Sequence, residues 1–299
     1  MRRGVLAGAA LLVVAALPLY AAAPPTVGLS ISTLNNPFFV DLRDGAQAQA
    51  AKAKVPLTVL DAQNDAAREA SQIEDLIQKK VAVIAINPTD SNAIVPVIKK
   101  VNAAKIPVIT VDRGANGGQV AAHIASDNVA GGVMAAGYVG KRLNGKGNVV
   151  MLEGIAGTSA ARDRGKGFRD GLKKYPGIKL VAVQTADFDR AKGLTVMENI
   201  LQAQKKIDAV FAQNDEMALG AIKAIEAAKR QKEIFVVGFD ATADALAAVK
   251  GGAMAATIAQ QPKEMGRLAV EAALKLIRKQ PVAKFTPVPL KLVTKDTLK

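Results

Sequence analysis

Hydrophobic residues follow two alternating patterns along this chain from Thr26 onwards. Short apolar runs bounded by polar or turn residues are typical of strands that are buried on both faces of a parallel sheet. Between them lie longer segments whose apolar residues recur every three or four positions, as in an amphipathic helix. In the segment 66–79, Ala70, Ile73 and Ile77 share one helical face. The alternation predicts an α/β protein in which helices cover parallel sheets.

The same plan is used twice, because a second series of strands and helices follows the first without a linker rich in glycine or serine. Predicted strands are TVGLSIS, PLTVLDA, VAVIAI, IPVITV and AHIAS, then NVVMLE, IKLVAVQ, AVFAQ, FVVGF and AATIAQ, with PVPLKLV as an extended finish. Predicted helices cover 66–79, 91–104, 128–143, 159–175, 190–204, 215–228, 243–250 and 262–279, and a further helix begins near Pro37.

The repeated plan predicts two similar Rossmann-like lobes, each a parallel sheet flanked by helices, joined by a hinge. The N-terminal lobe would contain residues 24–126 and 261–289, and the C-terminal lobe 127–260 and 290–299. The chain would cross three times between the lobes. We therefore expect hinge residues at these crossings: Ser126, Asp127, Gln261 and Pro289.

Residues 1–23 have the composition of a cleavable signal peptide. Two arginines precede a mostly apolar run over 5–19, and three alanines end the segment. The run is short for a membrane span, which needs about 20 residues. Pro24 is unfavourable directly after a cleavage site, which leaves the cleavage position open, and an uncleaved anchor is the alternative. Export to the periplasm is expected.

The amino-acid composition excludes several kinds of functional site. The chain has no cysteine, which excludes disulfides and cysteine-based catalysis or metal binding. Its one histidine, His123, falls inside a predicted strand, where a structural role is expected. The net charge is +14, but the basic residues occur singly or in pairs such as Lys79-Lys80, which indicates solvated helix faces. No nucleic acid partner, cofactor or metal is predicted.

Polar or aromatic side chains follow most of the predicted strands, at the end where open parallel sheets bind their ligands. Asn36, Phe38 and Phe39 follow the first strand, and Asp112 and Arg113 follow the fourth. Amides, carboxylates and guanidinium groups suit hydroxyls that both donate and accept hydrogen bonds. Aromatic rings suit the C–H faces of a sugar. The repetition predicts a site for an uncharged sugar.

Each of these features also has an ordinary structural interpretation. Asn36 followed by Pro37 is a typical helix cap, and Asp215 is a second candidate cap. Phe38 and Phe39 could belong to the core, although adjacent helical residues point about 100° apart, so we do not expect both rings on one core face.

Several segments together resemble the family of periplasmic D-ribose-binding proteins, and the resemblance extends over about 26–293. These segments are STLNNPFF, INPTD, VITVDR, HIASDN, GIAGTSAARDRG, ADFDR, FAQNDEMALGA and VVGFD with ATIAQ. The resemblance implies a sugar site that is formed by Asn36, Phe38, Phe39, Asn87, Asp112, Arg113, Arg164, Phe188, Asn214, Phe239, Asp240 and Gln260. Ala241-Thr242-Ala243 and Gln261 depart from the family pattern, outside this site.

The resemblance implies the fold of type I periplasmic binding proteins. It also implies a monomeric, non-catalytic receptor that delivers D-ribose to the permease of an ABC transporter, with a chemoreceptor as a further partner. Another monosaccharide such as D-allose is the first alternative. A sugar-responsive repressor would need an N-terminal DNA-binding motif, where this chain has the signal-like segment. A periplasmic sugar enzyme would need a nucleophile or a pair of positioned carboxylates, and the sequence identifies neither.

Overall fold

The computed structural model describes residues 24–298, so the predicted signal peptide lies outside the described residues. We number the elements in chain order. The first part of the chain forms β1 (Val27–Ile31), α1 (Pro37–Ala53), β2 (Leu57–Asp61), α2 (Ala66–Gln78), β3 (Val83–Ile86), α3 (Val95–Ala103), β4 (Val108–Val111) and β5 (Ala122–Ala125).

The second part continues the alternation of helices and strands. It forms α4 (Asn128–Arg142), β6 (Lys146–Glu153), α5 (Ser159–Leu172), β7 (Gly177–Thr185), α6 (Arg190–Ala203), β8 (Ala209–Ala212), α7 (Asp215–Ala227), β9 (Phe235–Asp240), α8 (Ala243–Gly251) and β10 (Ala256–Ala259). The chain ends with α9 (Pro262–Ile277), β11 (Phe285–Pro287), β12 (Lys291–Thr294) and a short 3-10 turn at Lys295–Thr297.

Within residues 24–298 the strands form two six-stranded sheets. The first has the order β11-β5-β4-β3-β1-β2 and is parallel throughout. The second has the order β12-β10-β9-β8-β6-β7 and is parallel except for β12, which runs antiparallel to β10. Two α/β lobes were predicted from the hydrophobic pattern, and this prediction is confirmed. We call the first sheet with α1, α2, α3 and α9 the first lobe, and the second sheet with α4–α8 the second lobe.

The central strands of each sheet are buried on both faces, which explains why they are continuous apolar runs. In β3, Val83 and Ala85 pack into the cluster under α1 and α9, whereas Ile84 and Ile86 pack into the cluster under α2 and α3. Successive side chains of a strand point to opposite faces, so one apolar run supplies both cores.

Helix α3 is shorter than predicted, because it begins at Val95 rather than at 91. Pro96 has no N–H to donate to the carbonyl four residues earlier, so the regular helical ladder cannot extend back through it. The preceding residues form a turn instead, in which the Asp90 carboxylate accepts hydrogen bonds from the backbone nitrogens of Asn92 and Ala93 at 2.7 and 2.8 Å.

The chain passes between the lobes where β5 leads to α4, where β10 leads to α9 and where β11 leads to β12. Gln261 Nε2 donates a hydrogen bond of 3.2 Å to the Pro289 carbonyl, and so links two of these connections. The lobe boundaries inside the connections remain a prediction. In the part of the chain that the structure describes, no helix combines the length and hydrophobicity that a membrane span requires.

Helices α1 and α9 pack so closely that a glycine is required where they cross. A Cβ built at Gly266 would lie 2.8 Å from the Ala46 nitrogen and would also meet the Leu42 carbonyl oxygen. Both are backbone atoms, so they cannot move aside as the end of a flexible side chain can.

We therefore expect Gly266→Ala to lower the free energy of unfolding by about 1–3 kcal/mol, the usual cost of overpacking. Urea denaturation measures this loss. Gly137→Ala on α4 is the matched control, because nothing lies within 4 Å of a Cβ built there. The control should be neutral or slightly stabilising, and an equal loss in both variants would contradict the packing argument.

Candidate functional site

A small cavity lies between the carboxyl ends of the two sheets. All of the predicted sugar contacts except Asn87 and Phe239 line it, together with Ala160, which was not predicted. The lining residues are Asn36, Phe38, Phe39, Asp112, Arg113, Ala160, Arg164, Phe188, Asn214, Asp240 and Gln260.

The lobes are closed around this cavity. Asp112, Arg113 and Arg164 are each only 2–3% exposed. The lobes are also joined directly, because the Ser91 nitrogen donates to the Gly157 carbonyl at 3.0 Å and the Gly114 nitrogen donates to Ser159 Oγ at 2.8 Å. A molecule bound in the cavity would therefore be almost completely removed from solvent.

Asn36, at the start of α1, both caps the helix and lines the cavity. Asn36 caps the helix, since its Oδ1 accepts a hydrogen bond of 2.9 Å from the Phe38 nitrogen, and Pro37 is the first helical residue. The same asparagine lines the cavity. The capping interpretation and the site interpretation of Asn36 are thus compatible.

Phe38 and Phe39 both line the cavity, and their ring centroids lie 5.2 Å apart in an edge-to-face arrangement. Both rings also belong to the hydrophobic cluster that packs α1 and α9 against the first sheet. Our expectation that the two rings could not share one core was wrong. The first turn of α1 lies where this core reaches the cleft, so each ring contacts the core and the cavity at the same time.

Asp112 is held at the end of β4 in a left-handed backbone conformation, with φ of 62°. Its Oδ2 accepts a hydrogen bond from Asn87 Nδ2 at 3.2 Å, whereas its buried Oδ1 has no partner among the described residues. Burial raises the pKa of the Asp112 carboxyl, and the charges of Arg113 and Arg164 oppose that shift. Oδ1 is therefore an acceptor that is available to a ligand.

Arg113 lies between aromatic rings of the two lobes. Its guanidinium carbon is 5.0 Å from the centroid of Phe39 in the first lobe and 5.5 Å from that of Phe188 in the second. Nη1 donates to the Pro88 carbonyl at 3.4 Å, and Nε is 4.0 Å from Asp112 Oδ2. Stacking of this kind suits the flat guanidinium group and brings the two lobes together at the cavity.

Arg164, on α5, is oriented by hydrogen bonds within the second lobe. Nε donates to Asn128 Oδ1 at 2.8 Å and Nη1 donates to the Gln213 carbonyl at 2.7 Å. Nη1 also lies 3.6 Å from Asp240 Oδ1. The Phe239 ring centroid is 3.9 Å from the guanidinium carbon, so this ring supports the arginine from below.

The remaining polar groups come from loops of the second lobe. Asn214 caps α7 through Oδ1, which accepts from the Met217 nitrogen, and its Nδ2 donates to the Phe188 carbonyl at 3.2 Å. Gln260 Nε2 donates to Asp240 Oδ1 at 2.8 Å, and Gln260 Oε1 is buried without a partner among the described residues. Gln260 therefore offers the cavity a second free acceptor.

Three cavity residues have a backbone conformation that side chains with a Cβ rarely adopt. The φ angles are 62° at Asp112, 57° at Phe188 and 122° at Asp240. Such conformations cost about 1–3 kcal/mol each and concentrate at binding sites. Here they hold three strand-end side chains toward one small cavity.

Two predicted sugar contacts lie behind the cavity wall instead. Asn87 is fully buried, and its Oδ1 accepts from the Ser32 nitrogen and from Ser32 Oγ while its Nδ2 donates to Asp112. Phe239 is also fully buried, under Arg164. The structure brings both residues to the site as supports of charged side chains.

Further supporting residues were not predicted. Glu69 is 1% exposed, and its Oε2 accepts from the Thr89 nitrogen and Thr89 Oγ1 at 3.0 and 2.7 Å, which holds the loop after β3. Its spacing to Ile73 and Leu76 puts this glutamate on the apolar face of α2. A charged residue at such a position could have been predicted from the sequence to be buried and hydrogen-bonded. Asn128 and Gln213, which orient Arg164, gave no separate signal.

His123 is not part of the cavity lining. Its Nδ1 is 2.9 Å from Thr110 Oγ1, and its ring stacks on Phe285 at 5.7 Å. Burial lowers its pKa. Among residues 24–298 no group of histidine and acidic side chains has the arrangement of a metal site.

The lining residues suit an uncharged, hydroxyl-rich molecule. Two arginines and two aspartates balance one another, and three phenylalanines add apolar surface. Each of the two aspartates lies within 4.0 Å of a buried arginine, Asp112 of Arg113 and Asp240 of Arg164. A cavity that two lobes close and that such binding groups line is typical of a solute-binding protein.

The chain belongs to the periplasmic binding protein family, because the sequence profile of the periplasmic binding protein domain matches residues 27–281. The location is accordingly periplasmic. The "Ribose import binding protein RbsB" of Salmonella typhimurium is 51% identical over 276 residues, which cover 92% of this chain and 93% of that protein. The "D-allose-binding periplasmic protein" of Escherichia coli is 33% identical and covers 79% of each chain.

Solved structures agree with this family. A solute-binding protein of an ABC transporter from Bacillus halodurans, with bound myo-inositol, has a TM-score of 0.89 and 34% sequence identity, and covers 93% of this chain and 96% of that chain. These relatives are binding proteins, so the prediction that the chain is not an enzyme is confirmed.

Asp215 is a buried carboxyl whose charge acts on Asp240, and it makes the stability of the fold dependent on pH. It is fully buried, and it accepts from Thr257 Oγ1 at 2.7 Å and from the Thr242 nitrogen at 2.8 Å. Burial raises its pKa to about 7. A carboxyl whose pKa is higher in the folded protein destabilises the fold increasingly as pH rises from its ordinary pKa to the raised one.

We therefore expect Asp215→Asn to gain stability relative to the wild type between pH 5 and pH 8, on the order of 2 kcal/mol at 1.36 kcal/mol per unit. Urea denaturation at both pH values measures the gain. Asp75→Asn, at an exposed aspartate of α2, is the control for a surface carboxyl. A difference between Asp215→Asn and wild type that does not change with pH would contradict the assignment.

Proposed function

We propose that this protein is the receptor of an ABC importer and that it binds D-ribose in the cavity between the lobes. The relatives named as ribose import binding proteins support this sugar, since they are about 50% identical over 92% of the chain. The relative named for D-allose is more distant, at 33%. Allose therefore remains the alternative sugar.

One observation carries the proposal: a single cavity between the lobes combines buried acceptors, two guanidinium groups and aromatic rings from both lobes. Asp112 Oδ1 and Gln260 Oε1 are acceptors that sugar hydroxyls can satisfy. Phe38 and Phe39 of the first lobe and Phe188 of the second supply the apolar contacts for the C–H faces of a sugar ring. In this proposal Asn36, Arg113, Arg164, Asn214 and Asp240 complete the contacts, and Asn87 and Phe239 act through Asp112 and Arg164.

Closure of the lobes couples binding to transport. Part of the wall comes from each lobe, so an open form would offer a sugar only half of its contacts. A ligand that makes more contacts in the closed form shifts the population toward it. The proposed hinge is formed by the crossings at Ser126, Asp127, Gln261 and Pro289, and the closed shape is what the permease would recognise.

In this proposal, residues 1–23 are a signal peptide that directs export and is then cleaved. The mature protein acts as a monomer. A chemoreceptor that recognises the same closed shape is a further partner in this proposal.

The sugar is tested by calorimetric titration of the mature protein with D-ribose, D-allose, D-xylose and D-galactose. We expect one-to-one binding with a clear preference for D-ribose. Preference for D-allose would keep the receptor and overturn the sugar. Absence of binding to all four, after denaturation and refolding to remove bound sugar, would contradict the proposed function.

The site is tested by Asp112→Ala. Loss of a hydrogen bond to a charged group costs about 1.5–3 kcal/mol, so we expect the dissociation constant for D-ribose to rise roughly 10- to 150-fold. Asp75→Ala removes an exposed carboxylate far from the cavity and should leave affinity unchanged. If Asp112→Ala binds as well as this control, Asp112 is not a sugar contact.

A further inference from the structure

All four helices of the first lobe end in the same turn, and a lysine occupies its left-handed position each time. The nitrogens of the next residues, Val55, Val81, Ile106 and Gln280, donate to the carbonyl five residues earlier, at 2.8–3.3 Å. This bond closes a Schellman turn. The φ angles of the lysines are 54°, 53°, 59° and 56°, in this order: Lys54, Lys80, Lys105 and Lys279.

Lysine is an unusual residue for this position. Glycine or asparagine usually fills it, because a Cβ makes the left-handed conformation unfavourable. The second lobe is mixed in this respect, with Asn144 after α4, Lys229 after α7 and Gly252 after α8. The repeated lysines of the first lobe therefore accept a conformational cost that glycine would avoid.

Three of these lysines lie side by side at the amino-terminal ends of the strands of the first sheet. Each lies just before a strand, and backbone hydrogen bonds join those segments in sheet order. The Ile84 nitrogen donates to Pro107, the Ala82 nitrogen to Thr26, and the Val27 nitrogen to Pro56. Lys105, Lys80 and Lys54 thus precede β4, β3 and β2, which span the sheet at about 4.8 Å per strand. Lys279 ends α9 shortly before β11, and β11 pairs in parallel with β5, so this lysine belongs to the same edge.

We call this surface, formed by Lys54, Lys80, Lys105 and Lys279, the lysine face. All four side chains are exposed, and none forms an ion pair within the described residues. The acidic side chains Glu74 and Glu271 on the adjoining helices are already paired, with Lys100 and Arg267. Asp75 of α2 is a further exposed carboxylate on these helices, and the four lysines outnumber it. The basic residues that look scattered in the sequence thus form one surface with a net positive charge.

We propose that the lysine face binds the surface of an anionic lipid bilayer. Strand starts and helix ends of a parallel α/β layer lie at one edge, so the charges are spread over a broad end of the lobe rather than along a groove. Lysine is a compact, mobile point charge, which suits the diffuse negative potential of a bilayer. The periplasmic location puts such surfaces within reach.

Attachment by this face leaves the sugar site free. The lysine face lies at the amino ends of the strands, and the cavity lies at their carboxyl ends. The receptor could therefore be held at a membrane while its cleft still exchanges sugar with solution. This inference does not depend on which sugar binds.

The test is co-sedimentation of the mature protein with vesicles of phosphatidylcholine that contain about 30% phosphatidylglycerol, at about 0.01 M and about 0.15 M salt. The variant replaces Lys54, Lys80 and Lys105 together by glycine, which suits the left-handed positions and should keep the fold. Each lysine contributes about fivefold to partitioning onto an anionic bilayer. We expect the triple variant to bind roughly 100-fold more weakly at low salt, with unchanged sugar affinity.

The matched control replaces Lys166, Lys223 and Lys263 by glutamine, which removes the same charge from other exposed sites. It should bind within a few-fold of the wild type. Equal loss in both variants would show that net charge alone is responsible and would overturn the proposal. So would wild-type protein that fails to bind at low salt, or that binds equally to pure phosphatidylcholine.

Discussion

Two guanidinium groups buried where the lobes meet, Arg113 from the first and Arg164 from the second, are the constraint on which the site depends. An unpaired buried charge costs several kcal/mol, so both groups require nearby carboxylates. Asp112 lies beside Arg113, and Asp240 lies 3.6 Å from Arg164. The charge of Arg164 in the second lobe also acts on Asp112 in the first lobe. The charged groups of the two lobes therefore compensate one another fully only when the lobes are closed.

A layer of supporting side chains holds these charges in position. Asn87 fixes Asp112, Asn128 and the Gln213 carbonyl fix Arg164, and the Phe239 ring lies beneath that guanidinium group. Such groups bring the free acceptors toward one place before a ligand arrives. A preorganised site loses less conformational entropy on binding than a flexible one.

The parallel sheets also give each lobe two chemically different ends. Strand carboxyl ends carry the amides, carboxylates and guanidinium groups of the cavity. In the first lobe the opposite end carries lysines at the helix ends, where positive charge is favourable to the helix dipole. The same polarity of the α/β layer thus separates a ligand-binding end from a cationic end.

The sequence by itself determined the lobes and most of the cavity lining. Apolar periodicity distinguishes strands from helices because burial on two faces and burial on one stripe leave different patterns. Strand ends in a parallel sheet converge, so the order of residues along the chain is enough to group Asn214 with Asp240, which follow β8 and end β9. Phe188 and Gln260 also follow or end predicted strands, and the resemblance to a family selected them, with the other site residues, from the larger set of strand-end residues.

Tertiary structure decided which of these residues reach the cavity and which stand behind it. Asn87 and Asp112 both follow strands, and only three-dimensional packing makes one the support of the other. Ala160 lines the cavity through its place on α5, since a methyl group carries no chemical signal in a sequence. The lysine face depends on hydrogen bonds between segments that are far apart in the chain, which pair spacing along the sequence cannot reveal.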